Sequence, residues 1–275
     1  MAWGQPMNLL DALLGRALPL KGRRVAVSGA SGSLGRELLQ ELQRRGAEPI
    51  ALSSSPEPLV LRGGDGQLIG LEQVQWSCGE ESALAPLLEH VDILVINHGL
   101  NVHGARSPEA VERSLEVNAL SAWRLLELFV AICERQGRPD PASPLKEVWV
   151  NTSEAEVQPA LSPLYELSKR LLGELLSLRQ LDAPGAPWRL RRLVLGPFRS
   201  ALNPIGVMPA DFVARQVLGQ ASRGLGLIIV TPNPLTYLTM PLAALGRRIY
   251  FGLITGPKIG AGAEASRPEP RNPDR

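Results

Sequence analysis

Short, continuously apolar runs alternate along this chain with longer stretches whose apolar positions recur at helical spacing. Arg24 to Ser28 reads as a strand, about Ser33 to Arg45 as a helix with Leu34, Leu38, Leu39 and Leu42 on one face, and Pro49 to Leu52 as the next strand. The alternation continues through a strand at Val91 to Ile96, a long helix over about Pro108 to Glu134, a strand at Glu147 to Val150 and a helix around residue 165. Strands at Leu190 to Leu195 and Leu227 to Val230 enclose a helix near Ala210 to Ser222. Uninterrupted apolar runs suit strands buried on both faces, and strands joined by helices run parallel. The pattern predicts an α/β fold: a Rossmann-type doubly wound parallel sheet, in a single domain over about 21–231.

Four segments read differently. Residues 1–20 carry Leu9, Leu10, Leu13, Leu14 and Leu18 at roughly helical spacing, which predicts an amphipathic helix packed on the domain or touching a membrane or partner. The Gly/Ser/Pro-rich stretch Ser53 to Glu72 fits either a short hairpin or a loop. In 232–259, the apolar runs Pro234 to Leu238 and Ile249 to Ile254 flank Arg247 and Arg248. That segment reads as a cap on the substrate cleft, a contact between copies in a homo-oligomer, or a membrane-surface element with its arginines at the headgroups. Residues 260–275 have no periodicity and read as a disordered tail.

Composition narrows the function. Lys and Arg total 29 against 27 Asp and Glu in 275 residues, without runs of one sign, so a nucleic-acid footprint is not expected. Cys78 and Cys133 are the two cysteines, and neither they nor His90, His98 and His103 have metal-ligand spacing, so no metal is expected. No basic segment precedes an apolar core at the N-terminus, and no apolar run reaches 18 residues, which argues against a secretory signal and a spanning helix. The expected setting is reducing and cytoplasmic, or the inner face of a membrane if 232–259 lies on one.

Two motifs supply chemistry. Gly29, Ala30, Ser31, Gly32, Ser33, Leu34 and Gly35 follow a strand and open a helix. Glycines there let the backbone approach a pyrophosphate, and a helix N-terminus offers unpaired N–H groups with partial positive charge. This predicts dinucleotide binding. After the second strand stand Ser53, Ser54 and Ser55, where a carboxylate would grip free ribose hydroxyls, and Arg36 is near the turn. Small hydroxyls and a cation favour NADP(H) over NAD(H). Tyr165 and Lys169, four apart on one helix face, bring a phenol and an ammonium to one centre, the makings of a proton donor.

On these residues the chain resembles the short-chain dehydrogenase/reductase family, over about 21–230. Asn97-His98-Gly99 resembles the family's Asn-Ala-Gly element, Gly196-Pro197 its Pro-Gly turn in reversed order, and Asn118, Ser153, Tyr165 and Lys169 its catalytic set. The resemblance implies that Tyr165 is the general acid or base, that Lys169 lowers its pKa and binds the nicotinamide ribose, that Ser153 orients the substrate oxygen, and that Asn118 holds a relay water. Asn97, Gly99 and Pro197 would lie along the cofactor. Thr152 is an alternative hydroxyl donor, Glu154 is an unusual neighbour, and His98, in place of alanine, reads as a packed, hydrogen-bonded residue. The implied function is hydride transfer between NADP(H) and a small carbonyl or alcohol substrate, lipid-like if 232–259 lies on a membrane. A nucleotide-binding regulatory or scaffold protein without redox activity is the alternative. The opening segment and the sequence from Pro232 are also similar to cyanobacterial-type members that occur fused to sterol-desaturase-like domains, whose His-rich clusters this chain does not carry.

Overall fold

The computed structural model describes residues 19–62, 66, 68, 70–140 and 143–256. The expected N-terminal helix lies outside the described residues, except for 19 and 20, and the expected tail lies wholly outside them. The strands are β1 (Arg24–Ser28), β2 (Glu48–Ser53), β3 (Glu72–Gln75), β4 (Ile93–Ile96), β5 (Lys146–Ser153), β6 (Trp188–Leu195) and β7 (Leu227–Val230). They form one seven-stranded sheet in the order β3-β2-β1-β4-β5-β6-β7, all pairs parallel. Sequence order reverses between β1 and β4, and this switch point opens a crevice at the C-terminal strand ends.

The helices are α1 (Ser33–Arg44), the short α2 (Ala85–Leu88), α3 (Pro108–Leu115), α4 (Ser121–Gln136), α5 (Pro163–Arg179), α6 (Ala210–Ser222) and α7 (Thr236–Ile254). Side chains alternate across the sheet, so each strand feeds two cores. Val25, Val27 and Val95 pack with Leu38 and Leu42 of α1 and Val213 and Val217 of α6. Ala26, Leu94, Ile96 and Val150 pack on the other face with Leu125 and Phe129 of α4 and Leu172 and Leu176 of α5. The sheet is thereby wound on both faces.

Three details sharpen the sequence pattern. The stretch after β2 contains an antiparallel bridge between Arg62 and Leu68, and then the edge strand β3, which no apolar run announces. The long helix over 108–136 is interrupted by a π-helical turn, Glu116–Leu120, that includes Asn118. The apolar C-terminal segment is the helix α7, lying against α5 and β7. Its two arginines part: Arg247 turns inward to Glu156 and Glu174, while Arg248 stays exposed. No helix among the described residues is long and apolar enough to cross a membrane.

Candidate active site

At the end of β1 the chain must turn within four residues to enter α1. Gly29 makes the turn at φ +64°, and a Cβ there would lie 2.8 Å from the His98 Cα, so both its conformation and its surroundings demand glycine. Gly35 is buried one helical turn on, where a Cβ would come within 2.2 Å of the Gly29 carbonyl oxygen. No side chain caps the N-terminus of α1. Gly29, Ser31, Gly32, Ser33 and Leu34 therefore form one wall of a cleft of about 450 Å³, with uncapped helix N–H groups beside it.

The opposite wall comes from β4, β5 and α5. The Nδ2 of Asn151 donates to Oδ1 of Asn97 at 2.9 Å, and Lys169 Nζ donates to the Asn151 carbonyl at 3.0 Å. Burial lowers the Lys169 pKa to about 8, opposed by the attraction of Glu156. Its Nζ lies 5.8 Å from the centre of the Tyr165 ring. Burial raises the Tyr165 pKa, a hydrogen bond with the Ser153 hydroxyl lowers it, and the Glu154 charge raises it. In this geometry burial outweighs the Ser153 bond, so the phenol stays protonated through the neutral range.

His98 sits where these walls meet. Its Nδ1 is 2.8 Å from the Ser28 hydroxyl, which accepts from the backbone N–H groups of Asn97 and His98 and lies 3.4 Å from the Val95 carbonyl. Ser28 also donates to the Val95 carbonyl, and the direction of its bond to Nδ1 is set by the ring tautomer. The Nε2 is buried without a protein partner, and burial takes the ring's pKa down to about 3, so His98 is a neutral imidazole on the cleft wall. Trp76 packs edge-on against it, ring centres 5.1 Å apart.

Of the residues singled out from sequence, Gly29, Ser31, Gly32, Ser33, Leu34, Ser54, Asn97, Gly99, Tyr165 and Lys169 line this cleft. Others support it from behind. Ser53 is buried, and its hydroxyl accepts from the Ser55 N–H. Asn118 turns its amide to Leu100, accepting from its N–H at 2.7 Å and donating to its carbonyl at 2.8 Å, and also donates to Ser168. Ser153 and Thr152 are both buried: Ser153 meets Tyr165, while Thr152, on the lining, donates its hydroxyl to the Leu193 carbonyl at 3.2 Å. The Pro197 carbonyl accepts from Val207 and Met208, fixing the loop whose Phe198, Ser200 and Leu202 close the cleft.

Sequence reasoning missed Trp76, Asn151 and that loop, and it missed the ion pair behind Lys169. There Arg192 donates to Glu156 Oε2 at 3.1 Å with both side chains buried. Three arginines in one buried strand, Arg189, Arg191 and Arg192, were the available signal.

No protein-family model matches the chain. Over 249 residues it is 47% identical to a monoglucosyldiacylglycerol epimerase of Synechocystis sp., a match covering 90% of this chain and 59% of that protein, so the chain spans less than two thirds of this relative. A short-chain dehydrogenase from Burkholderia cenocepacia J2315, solved in complex with NADP, matches with a TM-score of 0.67 at 20% identity, over 87% of this chain and 100% of that one. The ligand-free aldohexose dehydrogenase of Thermoplasma acidophilum matches with a TM-score of 0.61 at 16% identity, over 87% and 98%.

The chain has the short-chain dehydrogenase fold. A nicotinamide dinucleotide fits the residues present: the backbone at Gly29 excludes a side chain from the turn, the α1 N-terminus is uncapped, and Lys169 stands at the far wall. Within a short-chain dehydrogenase fold, this crevice is the topological switch point at which α/β sheets take their ligands.

Proposed function

We propose that this protein is a nicotinamide-dependent enzyme acting on a secondary alcohol of a lipid-linked sugar, and that its reaction is epimerisation at that carbon. The observation that carries the reading is the convergence of Tyr165 and Lys169 on the cleft that the Gly29 turn opens, with Ser153 bonded to the phenol from behind. The likeness to a monoglucosyldiacylglycerol epimerase supports the substrate class. When bound, the nicotinamide supplies a reversible hydride acceptor.

The chain's residues supply the rest. The uncapped end of α1, with Ser31, Gly32 and Ser33, would hold the pyrophosphate, and Lys169 would hold the nicotinamide ribose. Tyr165 takes the proton of the reacting hydroxyl and returns it, with Ser153 donating to the same oxygen. Asn118 acts through Leu100, fixing the turn after β4, and Phe198 and Leu202 shield the centre from water. Burial keeps the phenol protonated, so Tyr165 is poised as a donor, and proton removal needs the Lys169 ammonium close by. Epimerisation needs no net oxidant: one carbon is oxidised and reduced again at the same site.

The test is incubation of the full chain with NADP(H) or NAD(H) and monoglucosyldiacylglycerol in mixed micelles, with the sugar configuration read by NMR. Galactosyl product, absent in Tyr165→Phe, supports the reading. Tight nucleotide binding without change in this lipid, or in simpler sugars and ketones, would replace it with a non-redox binding protein.

A further inference from the structure

The helix α7 is built inside out. It contains no Asp or Glu over its 19 residues. Its inward face carries the buried Thr236 and Met240 together with Arg247, whose guanidinium pairs with Glu156 and Glu174. Leu238, Leu242, Leu245, Ile249 and Leu253 are spaced by four, three, four and four, which at about 100° per residue is a single stripe on the opposite side. These five are 62%, 59%, 47%, 55% and 80% exposed. The stripe runs roughly 22 Å. A helix that faces water has the reverse arrangement, with charge outward and leucines inward.

We propose that α7 is a membrane-surface helix that docks this protein on an anionic lipid leaflet. Charge selects the occupant. The exposed Arg248 and Tyr250 lie about 100° to either side of the stripe centre, a cation and an amphipathic ring where headgroups meet acyl chains. The helix's only charged side chains are the two arginines, so a second copy laid on this stripe would bring another Arg248 and no acidic partner from α7. The helix is moored at the cleft end of the sheet, because the hydroxyls of Thr231 and Thr236 donate to Oε2 of Glu154, the neighbour of Ser153, at 2.6 and 3.2 Å. Docking rests on the helix alone. Its use, which is to let a lipid-linked sugar reach Tyr165 while its chains stay in the leaflet, rests on the proposed function.

The experiment is flotation of the full chain with vesicles of phosphatidylcholine, alone or with phosphatidylglycerol. The variants are Leu242→Ser/Leu245→Ser/Ile249→Ser and Arg248→Gln, all at exposed positions, with folding checked by thermal melts. The full chain is expected to float with the anionic vesicles, the triple variant to stay at the bottom, and Arg248→Gln to bind about fivefold more weakly. Flotation of the triple variant equal to that of the unaltered chain overturns the proposal, because another segment then binds the lipid. No flotation, together with a dimer that the triple variant dissociates, overturns it in favour of a contact between copies. No flotation with a monomer overturns it outright. Activity of the full chain on micellar substrate reads the proposed function separately, so either idea can fail without the other.

Discussion

The Oε2 of Glu156 fills the space that a side chain at Gly173 would need: a Cβ there would lie 2.0 Å from it. That oxygen also receives Arg192 from the strand below and Arg247 from α7, and Arg192 donates further to the Gly173 carbonyl and Ser177. Gly173→Ala is expected to cost about 1–3 kcal/mol by overpacking a site with no slack. It should also weaken the contact that raises the Lys169 pKa, carrying that pKa below about 8. Urea unfolding and NMR titration of Lys169 measure the two effects. A variant as stable as the unaltered chain, with Lys169 unmoved, would show that Glu156 is not held by this fit.

Lys169 gives a pH signature of its own. Burial takes its pKa from 10.5 to about 8, so the folded protein holds this proton less tightly than the unfolded chain does. The fold is penalised wherever both states are protonated, fully below about 8, and the penalty disappears as pH rises toward 10.5. It amounts to roughly 3 kcal/mol at most, and losing the bond to the Asn151 carbonyl costs about 1 kcal/mol in return. Lys169→Met is therefore expected to be more stable than the unaltered protein at pH 7, by about 1–2 kcal/mol. The advantage should shrink and then reverse by pH 10.5. Melting curves across that range decide it, and a variant less stable at pH 7 contradicts the burial argument.

Removing the phenol oxygen separates chemistry from binding. Tyr165→Phe keeps the ring beside Lys169 and loses only the group bonded to Ser153. Turnover is expected to fall at least ~100-fold, the scale for losing a positioned acid or base. Nucleotide affinity by calorimetry should stay near that of the unaltered chain. Turnover that survives the substitution would move the proton to another group.

The sheet was legible because buried parallel strands carry short apolar runs, and six of the seven do. The edge strand β3 did not: Glu72, Gln73, Val74 and Gln75 carry almost no apolar signal, and pairing with β2 rather than composition makes them a strand. At the site, the order of motifs was legible but the aim of individual side chains was not. Ser53 and Ser54 are adjacent, and strand alternation buries the first and gives the second to the cleft. Asn118 is near the cleft in sequence logic, but a π-helical turn delivers it to Leu100. The Glu156–Arg192 pair spans 36 residues, a separation no local pattern encodes. In 232–259 the two apolar runs were legible, but the helix and the face it turns outward were not, because the pairing of Arg247 with Glu156 sets that orientation.

Cofactor preference turns on the corner between the glycine turn and the end of β2. Ser54 lines the cleft there, and the exposed Arg36 is held near the turn by its Nε donating to the Ser31 carbonyl at 3.0 Å. The residues closing β2 are Ser53, Ser54 and Ser55, with no carboxylate to repel a 2′-phosphate or to grip a free 2′-hydroxyl. A charge-assisted contact of this kind is worth about 1.5–3 kcal/mol, or roughly 10- to 100-fold in affinity. The expectation is that NADP(H) binds more tightly than NAD(H). Arg36→Ala should weaken NADP(H) about 10-fold or more while leaving NAD(H) nearly unchanged, and Ser54→Asp should invert the order by placing a carboxylate at the same corner. Calorimetric titration of both nucleotides into the three proteins tests this directly. Equal losses for both nucleotides in Arg36→Ala would assign Arg36 to the turn rather than to the phosphate, and tighter NAD(H) binding by the unaltered chain would reverse the preference.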